Sequence, residues 1–323
     1  MRPSRLMSAA FTVHSSFREI ASMYDGFILD QYGVLHNGRE PLPGVLEVLQ
    51  ELKRDSKKLI ILSNTSSPAK SALEKLRQLG FDPEWFDAGA VTGGEEASAY
   101  VSQMFGDQEA NAKKAIFLTY GGSFFTPPPL DFIQGCGNIE IASSADDADF
   151  VLAHGTEIWY QGVDKHVPLE GFMTKGSFDI LGPILEACRK RNLPMICPNP
   201  DFIVRFADNT IGYMPGTIAE YYENLGGDVT YFGKPFPASF DACIQKLGMD
   251  KSKVAHVGDS MHHDIAGAVG VGIDSVFVTS GIHSDDLKTS FGEMPLQADL
   301  ELLFEKEKVT PVHVIASFAN APM

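Results

Sequence analysis

Gly26-Phe27-Ile28-Leu29-Asp30 is a short apolar run that ends on a carboxylate. A run of this length, bounded by polar residues, reads as a strand buried on both faces, as strands of parallel sheets are. Outward from it the pattern recurs. Lys58 to Leu62 is a second such strand, with Ser63-Asn64-Thr65-Ser66-Ser67-Pro68 as its polar exit. Val254-Ala255-His256-Val257-Gly258-Asp259 is another apolar run ending on an acid, and Ser275 to Thr279 one more. Between them lie stretches with helical spacing of apolar residues, from Gly44 to Leu52 and from Pro68 to Gly80. Proline suits a first helical turn and glycine a helix stop. Strands alternating with helices predict an α/β fold built on a doubly wound, Rossmann-like parallel sheet.

The pattern restarts between about Ala112 and Ile203 with its own strands, Ala115 to Leu118, Asp149 to Leu152 and Pro194 to Cys197, which predicts an inserted α/β domain. The expected division is a discontinuous core over 19–111 and 204–323, an inserted cap over 112–203 and an N-terminal tail over 1–18. The Phe124-Phe125 pair and the Pro127-Pro128-Pro129 run read as a rigid cap loop. After Tyr213-Met214-Pro215-Gly216 a helix reaches Leu225, and a short strand leads to Gly233-Lys234-Pro235. Beyond Gly281 the periodic signal fades into a polar tail.

Composition narrows the function. The 323 residues carry 26 Lys and Arg against 42 Asp and Glu, a formal charge of -16, which disfavours nucleic acid or an anionic membrane as partner. The four cysteines are scattered without metal-ligand or disulfide spacing. No window approaches the roughly 18 apolar residues that span a bilayer. A cytoplasmic protein is expected. The first eighteen residues, with Arg2, Arg5, Arg18, several serines and no acid, leave an organelle-targeting segment open.

Open parallel sheets place ligands beyond the carboxyl ends of their strands. Those ends carry Asp30, Ser63, Lys234 and Asp259 here. Two carboxylates, a hydroxyl and an ammonium suit a phosphoryl group with a hard cation such as Mg2+, which takes one or two carboxylates plus substrate oxygens and water. A small phosphorylated metabolite is the expected partner.

These residues carry a resemblance. Asp30-Gln31-Tyr32-Gly33-Val34-Leu35 resembles the first motif of the haloacid dehalogenase-like superfamily. Ser63 stands at the second-motif position, Lys234 at the third, and Gly258-Asp259-Ser260-Met261-His262-His263-Asp264 resembles the fourth. The insertion between the second and third motifs resembles the cap of the type IIA branch, the NagD-like phosphatases, as do Asn199-Pro200-Asp201 and Pro215-Gly216-Thr217. The resemblance covers roughly Phe17 to Leu287 and not the tail.

It implies that Asp30 attacks phosphorus to form an aspartyl-phosphate, with Ser63 and Lys234 on the phosphoryl oxygens. It further implies that Asp30, Asp259 and the Tyr32 carbonyl ligate Mg2+, with Asp264 beside them. Asn64, Thr65, Asn199 and Asp201 are candidate substrate contacts, with Asn199, Asp201, Trp159 and Tyr160 either facing substrate or structural. The cap is expected to close over the crevice, and copies of the chain to associate through it.

The chain departs from the pattern at Tyr32, where phosphatases of the superfamily carry a second Asp that protonates the leaving group. A phenol, with a pKa near 10, is a poor acid at neutral pH. Loss of general acid-base help costs on the order of 100- to 10,000-fold. His36, four residues on, is a candidate replacement, beside the commoner reading of a turn histidine bonded to backbone. Two other readings stay open: a weakly active metal-binding or regulatory protein, and a 2-haloacid-type dehalogenase, whose first motif has the same Tyr. His262 and His263 are expected to be exposed or to lie behind the ligands.

Overall fold

The computed structural model describes residues 11–105, 112–121, 129–206, 208 and 210–320. Arg2, Arg5, Phe124, Phe125, Pro127 and Pro128 fall outside these. The chain divides into two compact units, Met1–Leu62 with Lys75–Ala90 and Phe240–Met323, and Ser63–Glu74 with Val91–Ser239.

The first unit is built on a sheet of seven strands. In space they run Thr12–Val13, His313–Ile315, Asp274–Val278, Val254–Gly258, Gly26–Leu29, Lys58–Ser63 and Ala90–Thr92. The pairings from Thr12–Val13 through Lys58–Ser63 are parallel. Phe27, Ile28 and Leu29 are fully buried, as their unbroken apolar run requires, and so is His256 in the neighbouring strand. The helix Val45–Arg54 buries Val45, Val48, Leu49 and Leu52, one face at 3.6-residue spacing. Each such side chain contributes about 1.5–3 kcal/mol by leaving water.

Both termini correct the sequence reading. Thr12–Val13 joins the sheet, and Phe17 is fully buried with its ring 4.4 Å from that of Phe318, so residues 11–18 are not a tail. At the other end the helix Gln297–Glu307 buries Leu300, Leu303 and Phe304, and His313–Ile315 lies inside the sheet. The polar surface of that helix had masked its single apolar stripe.

The second unit carries a mixed sheet in the order Val229–Tyr231, Met195–Cys197, Phe150–Ala153, Lys113–Thr119, Ile158–Gly162 and Lys165–Pro168, with Ile139–Ile141 also paired to Lys113–Thr119. Along Lys113–Thr119, Ile116 and Leu118 enter one core cluster while Ala115 and Phe117 enter the other, the period of two that a strand imposes. Trp159 packs against the first cluster and Tyr160 lies in the second, so both have structural places. Val229–Tyr231, assigned by sequence to the core domain, instead pairs in parallel with Met195–Cys197. All four cysteines are buried. No helix among the described residues is long and apolar enough to cross a membrane.

Candidate active site

In the first unit the strand ends converge on acid. Asp30, Asp259 and Asp264 are all buried, and each offers a carboxylate oxygen within 4.8 Å of the others. Asp30 follows directly on Gly26–Leu29, and its N–H donates to the Val257 carbonyl at 2.9 Å, which seats it beside the strand that delivers Asp259. Asp259 accepts from the Ile282 N–H at 2.8 Å. It is wedged between two backbones: a Cβ at Gly33 would fall 2.2 Å from its Oδ2, and one at Gly281 2.0 Å. Gly33 also holds φ at +85°, so steric room and backbone geometry both require glycine there. Asp264, on the π-helical turn Met261–Ile265, accepts from the Ser260 N–H at 3.0 Å and meets His256 Nε2 at 2.8 Å.

Three carboxylates converging in a buried space repel one another unless a cation or protons compensate. All-oxygen donors match a hard divalent ion such as Mg2+ rather than a thiolate- or imidazole-preferring metal. His262 and His263 stand apart from the cluster: His262 is exposed, and His263 turns Nδ1 to the Ser260 hydroxyl at 3.2 Å.

His36, the candidate for the missing acid, is buried and bonded to the backbone of its own turn. It is 2% exposed, and burial, with a smaller contribution from the nearby Lys75 charge, holds its pKa down to about 3. Its Nδ1 accepts from the Gly38 N–H at 3.0 Å, so Nε2 carries the hydrogen and faces Gln31 Oε1 at 3.4 Å. A neutral ring held in this way has no proton to deliver near pH 7. The Tyr32 ring packs edge-on to His36, with centroids 5.7 Å apart, and against the backbone of Gly38, where a Cβ would fall 2.9 Å from Cε2.

In the second unit three of the candidate substrate contacts, Asn64, Asn199 and Asp201, form a clamp with Lys234. The Asn64 amide accepts from the Lys234 N–H at 2.6 Å and donates to the Lys234 carbonyl at 3.2 Å and to Asp201 Oδ1 at 2.7 Å. Asn199 Oδ1 accepts from the Asp201 N–H at 2.9 Å. Asn64, Asn199 and Lys234 are all at 3% exposure, and buried amides must be satisfied, which fixes the Asn64 amide to the Lys234 backbone and the Asp201 carboxylate and the Asn199 amide to the Asp201 backbone. Gly233 takes φ +92°, and a Cβ there would strike Asn64 Oδ1 at 2.4 Å. Glu96, which the sequence did not flag, braces the same loop through Ser239 and the Gly233 N–H, and burial raises its pKa. Thr65 accepts from the Ser67 N–H, and Ser63, last residue of Lys58–Ser63, from the Thr65 N–H, both at 3.3 Å.

Residues 27–124 and 135–272 match family models described as haloacid dehalogenase-like hydrolase, and 231–321 one described as HAD-hydrolase-like. An acid sugar phosphatase of Staphylococcus aureus is 23% identical over 265 residues, covering 80% of this chain and 88% of that one. A haloacid dehalogenase-like hydrolase from Brucella suis superposes with a TM-score of 0.70 at 20% identity, over 94% of this chain and 99% of the other. A glycerol phosphate phosphatase from Mycobacterium tuberculosis in complex with magnesium gives 0.55 at 20% identity, over 81% and 70%. The matches run on through the C-terminal segment that the motifs alone had left out. The chain belongs to the haloacid dehalogenase-like hydrolases, in their type IIA branch.

Proposed function

We propose that this chain is a Mg2+-dependent phosphatase of small phosphomonoesters, a sugar phosphate foremost, acting through an aspartyl-phosphate on Asp30. The observation that carries it is the buried convergence of Asp30, Asp259 and Asp264 at the carboxyl edge of the parallel sheet. Asp30 is the nucleophile and, with Asp259, Asp264 and the Tyr32 carbonyl, holds the ion, which supplies positive charge for an anionic substrate. Ser63 and Lys234 take the phosphoryl oxygens, roles that follow from motif order. The printed activities of the Staphylococcus and Mycobacterium relatives support a phosphate ester as substrate.

With Tyr32 in place of the second acid, turnover favours leaving groups that depart unprotonated. Dehalogenation fits less well, because halide displacement has no use for the Asp259–Asp264 pair. The test is hydrolysis of 4-nitrophenyl phosphate and of a panel of sugar phosphates with Mg2+ and with chelator. Release of phosphate that requires Mg2+ is expected. No turnover of either class, or halide release from a haloacid without metal, would overturn the proposal.

A further inference from the structure

His256 has no part in the chemistry above, yet it is fully buried in mid-strand and touches one of the three acids. In register it pairs with Ile28, two residues ahead of Asp30. Its Nδ1 lies 3.1 Å from the Ile28 carbonyl oxygen, which can only accept, so Nδ1 carries a hydrogen. Its Nε2 lies 2.8 Å from Asp264 Oδ1, a contact that is a hydrogen bond only with a second proton held between those two atoms, while the Ser260 N–H holds Oδ2 at 3.0 Å. The carboxylate also rests directly on the strand backbone: a Cβ at Gly258 would fall 2.1 Å from Asp264 Cγ. Phe240 closes the other side, its ring edge-on to the imidazole at 5.1 Å.

We propose that His256 is a positioning residue for the ion: one imidazole fixes the rotation of the Asp264 carboxylate and ties it to the strand that ends at Asp30. The proposal rests on the Mg2+ reading above. A polar ring in the middle of Val254–Gly258, with apolar neighbours on the strand, is costly to bury unless both nitrogens are bonded. Here the two bonds go to the strand that leads to Asp30 and to Asp264. Partners of this kind behind a metal ligand typically change affinity by about 10- to 100-fold. A buried histidine that only filled space would affect folding and leave ion affinity alone.

Two substitutions separate the bonds. His256→Gln places an amide N–H near the position of Nε2 and keeps the bond to Asp264. His256→Asn places one near Nδ1 and keeps only the bond to the Ile28 carbonyl. Calorimetric titration of MgCl2 into the metal-free full-length protein is the readout, with thermal melts to confirm folding. The expected result is Mg2+ binding weakened about 10- to 100-fold in His256→Asn and largely restored in His256→Gln. At saturating Mg2+, kcat should recover and KM for 4-nitrophenyl phosphate should stay put. Equal Mg2+ affinity in the unsubstituted protein and His256→Asn overturns the inference while leaving the metal reading intact. Absence of Mg2+ binding in the unsubstituted protein overturns both. Should His256→Asn not fold, 15N spectra of the His256 ring in the unsubstituted protein decide: a shift of Nε2 on adding MgCl2 supports the role, and an unmoved signal under activating Mg2+ rejects it.

Discussion

The two units hold their polar residues by different means. In the first, Asp30 and Asp259 stand at the ends of adjacent parallel strands, and backbone N–H groups and neighbouring glycines press the acids together. In the second, Asn64, Asn199, Asp201 and Lys234 are knit by side-chain amides across 137 and 170 residues of sequence. The sheet edge concentrates charge with little freedom, which suits a cation and a nucleophile. The clamp holds a loop backbone, which suits a residue that must be aimed. Disturbing the first should abolish chemistry or metal binding; disturbing the second should slow turnover and spare the metal.

The comparison breaks most visibly at Asp30. Asp30→Asn is expected to lower kcat with 4-nitrophenyl phosphate by on the order of 10,000-fold or more while the protein stays folded, as loss of a nucleophile does. Residual activity within about tenfold of the unsubstituted enzyme would show that another group attacks. Tyr32→Asp should act in the opposite direction: it restores an acid and should raise turnover of alkyl phosphates relative to 4-nitrophenyl phosphate by about 100-fold. An unchanged ratio would mean that proton delivery is already supplied from elsewhere.

Asn64→Ala removes the clamp and leaves the buried Lys234 N–H without its acceptor, a penalty of about 1–3 kcal/mol. The expected outcome is a fall in kcat of about 5- to 100-fold with Mg2+ affinity unchanged, read from steady-state kinetics beside the calorimetry. A matching loss of Mg2+ affinity would merge the two regions into one mechanism.

The smallest effect is on stability, and it samples both units. Burial holds His36 in the first and His154 in the second at a pKa of about 3. Unfolding returns each to about 6.5, so the unfolded chain binds more protons between those values. Stability from these residues is present above about pH 6.5 and is lost as the pH falls toward 3, by roughly 1.4 kcal/mol per unit for each ring. Urea melts across that range should show the slope, and His36→Gln or His154→Gln should each remove its own share. A stability flat between pH 6 and 4 would contradict the assignment of neutral buried rings.

What the sequence made legible follows the same divide. Asp30, Ser63 and Asp259 could be read because an apolar run ending on a polar residue is a local signal, and a parallel sheet turns such ends to one edge. Nothing local marks Asn64 as the partner of Lys234, since that bond is set by how the chain returns. His256 was invisible for a related reason: inside Val-Ala-His-Val-Gly it looks like an interrupted core strand, and its partner Asp264 lies on the turn beyond. Glu96 hid in a helix whose acids look solvated. The N-terminal strand and His313–Ile315 were missed because two- and three-residue strands carry too few positions for a period to show. His36 stayed open between a proton donor and a backbone-bonded turn residue, because its spacing from Asp30 says nothing of burial.

The central claim, covalent chemistry at Asp30, is tested most directly by rapid acid quench of the enzyme mixed with 4-nitrophenyl phosphate and MgCl2, followed by peptide mass analysis. The peptide containing Asp30 should carry the added mass of one phosphoryl group, dependent on Mg2+ and absent from Asp30→Asn. Burst-free turnover with no adduct on that peptide, or an adduct on another residue, would contradict the account.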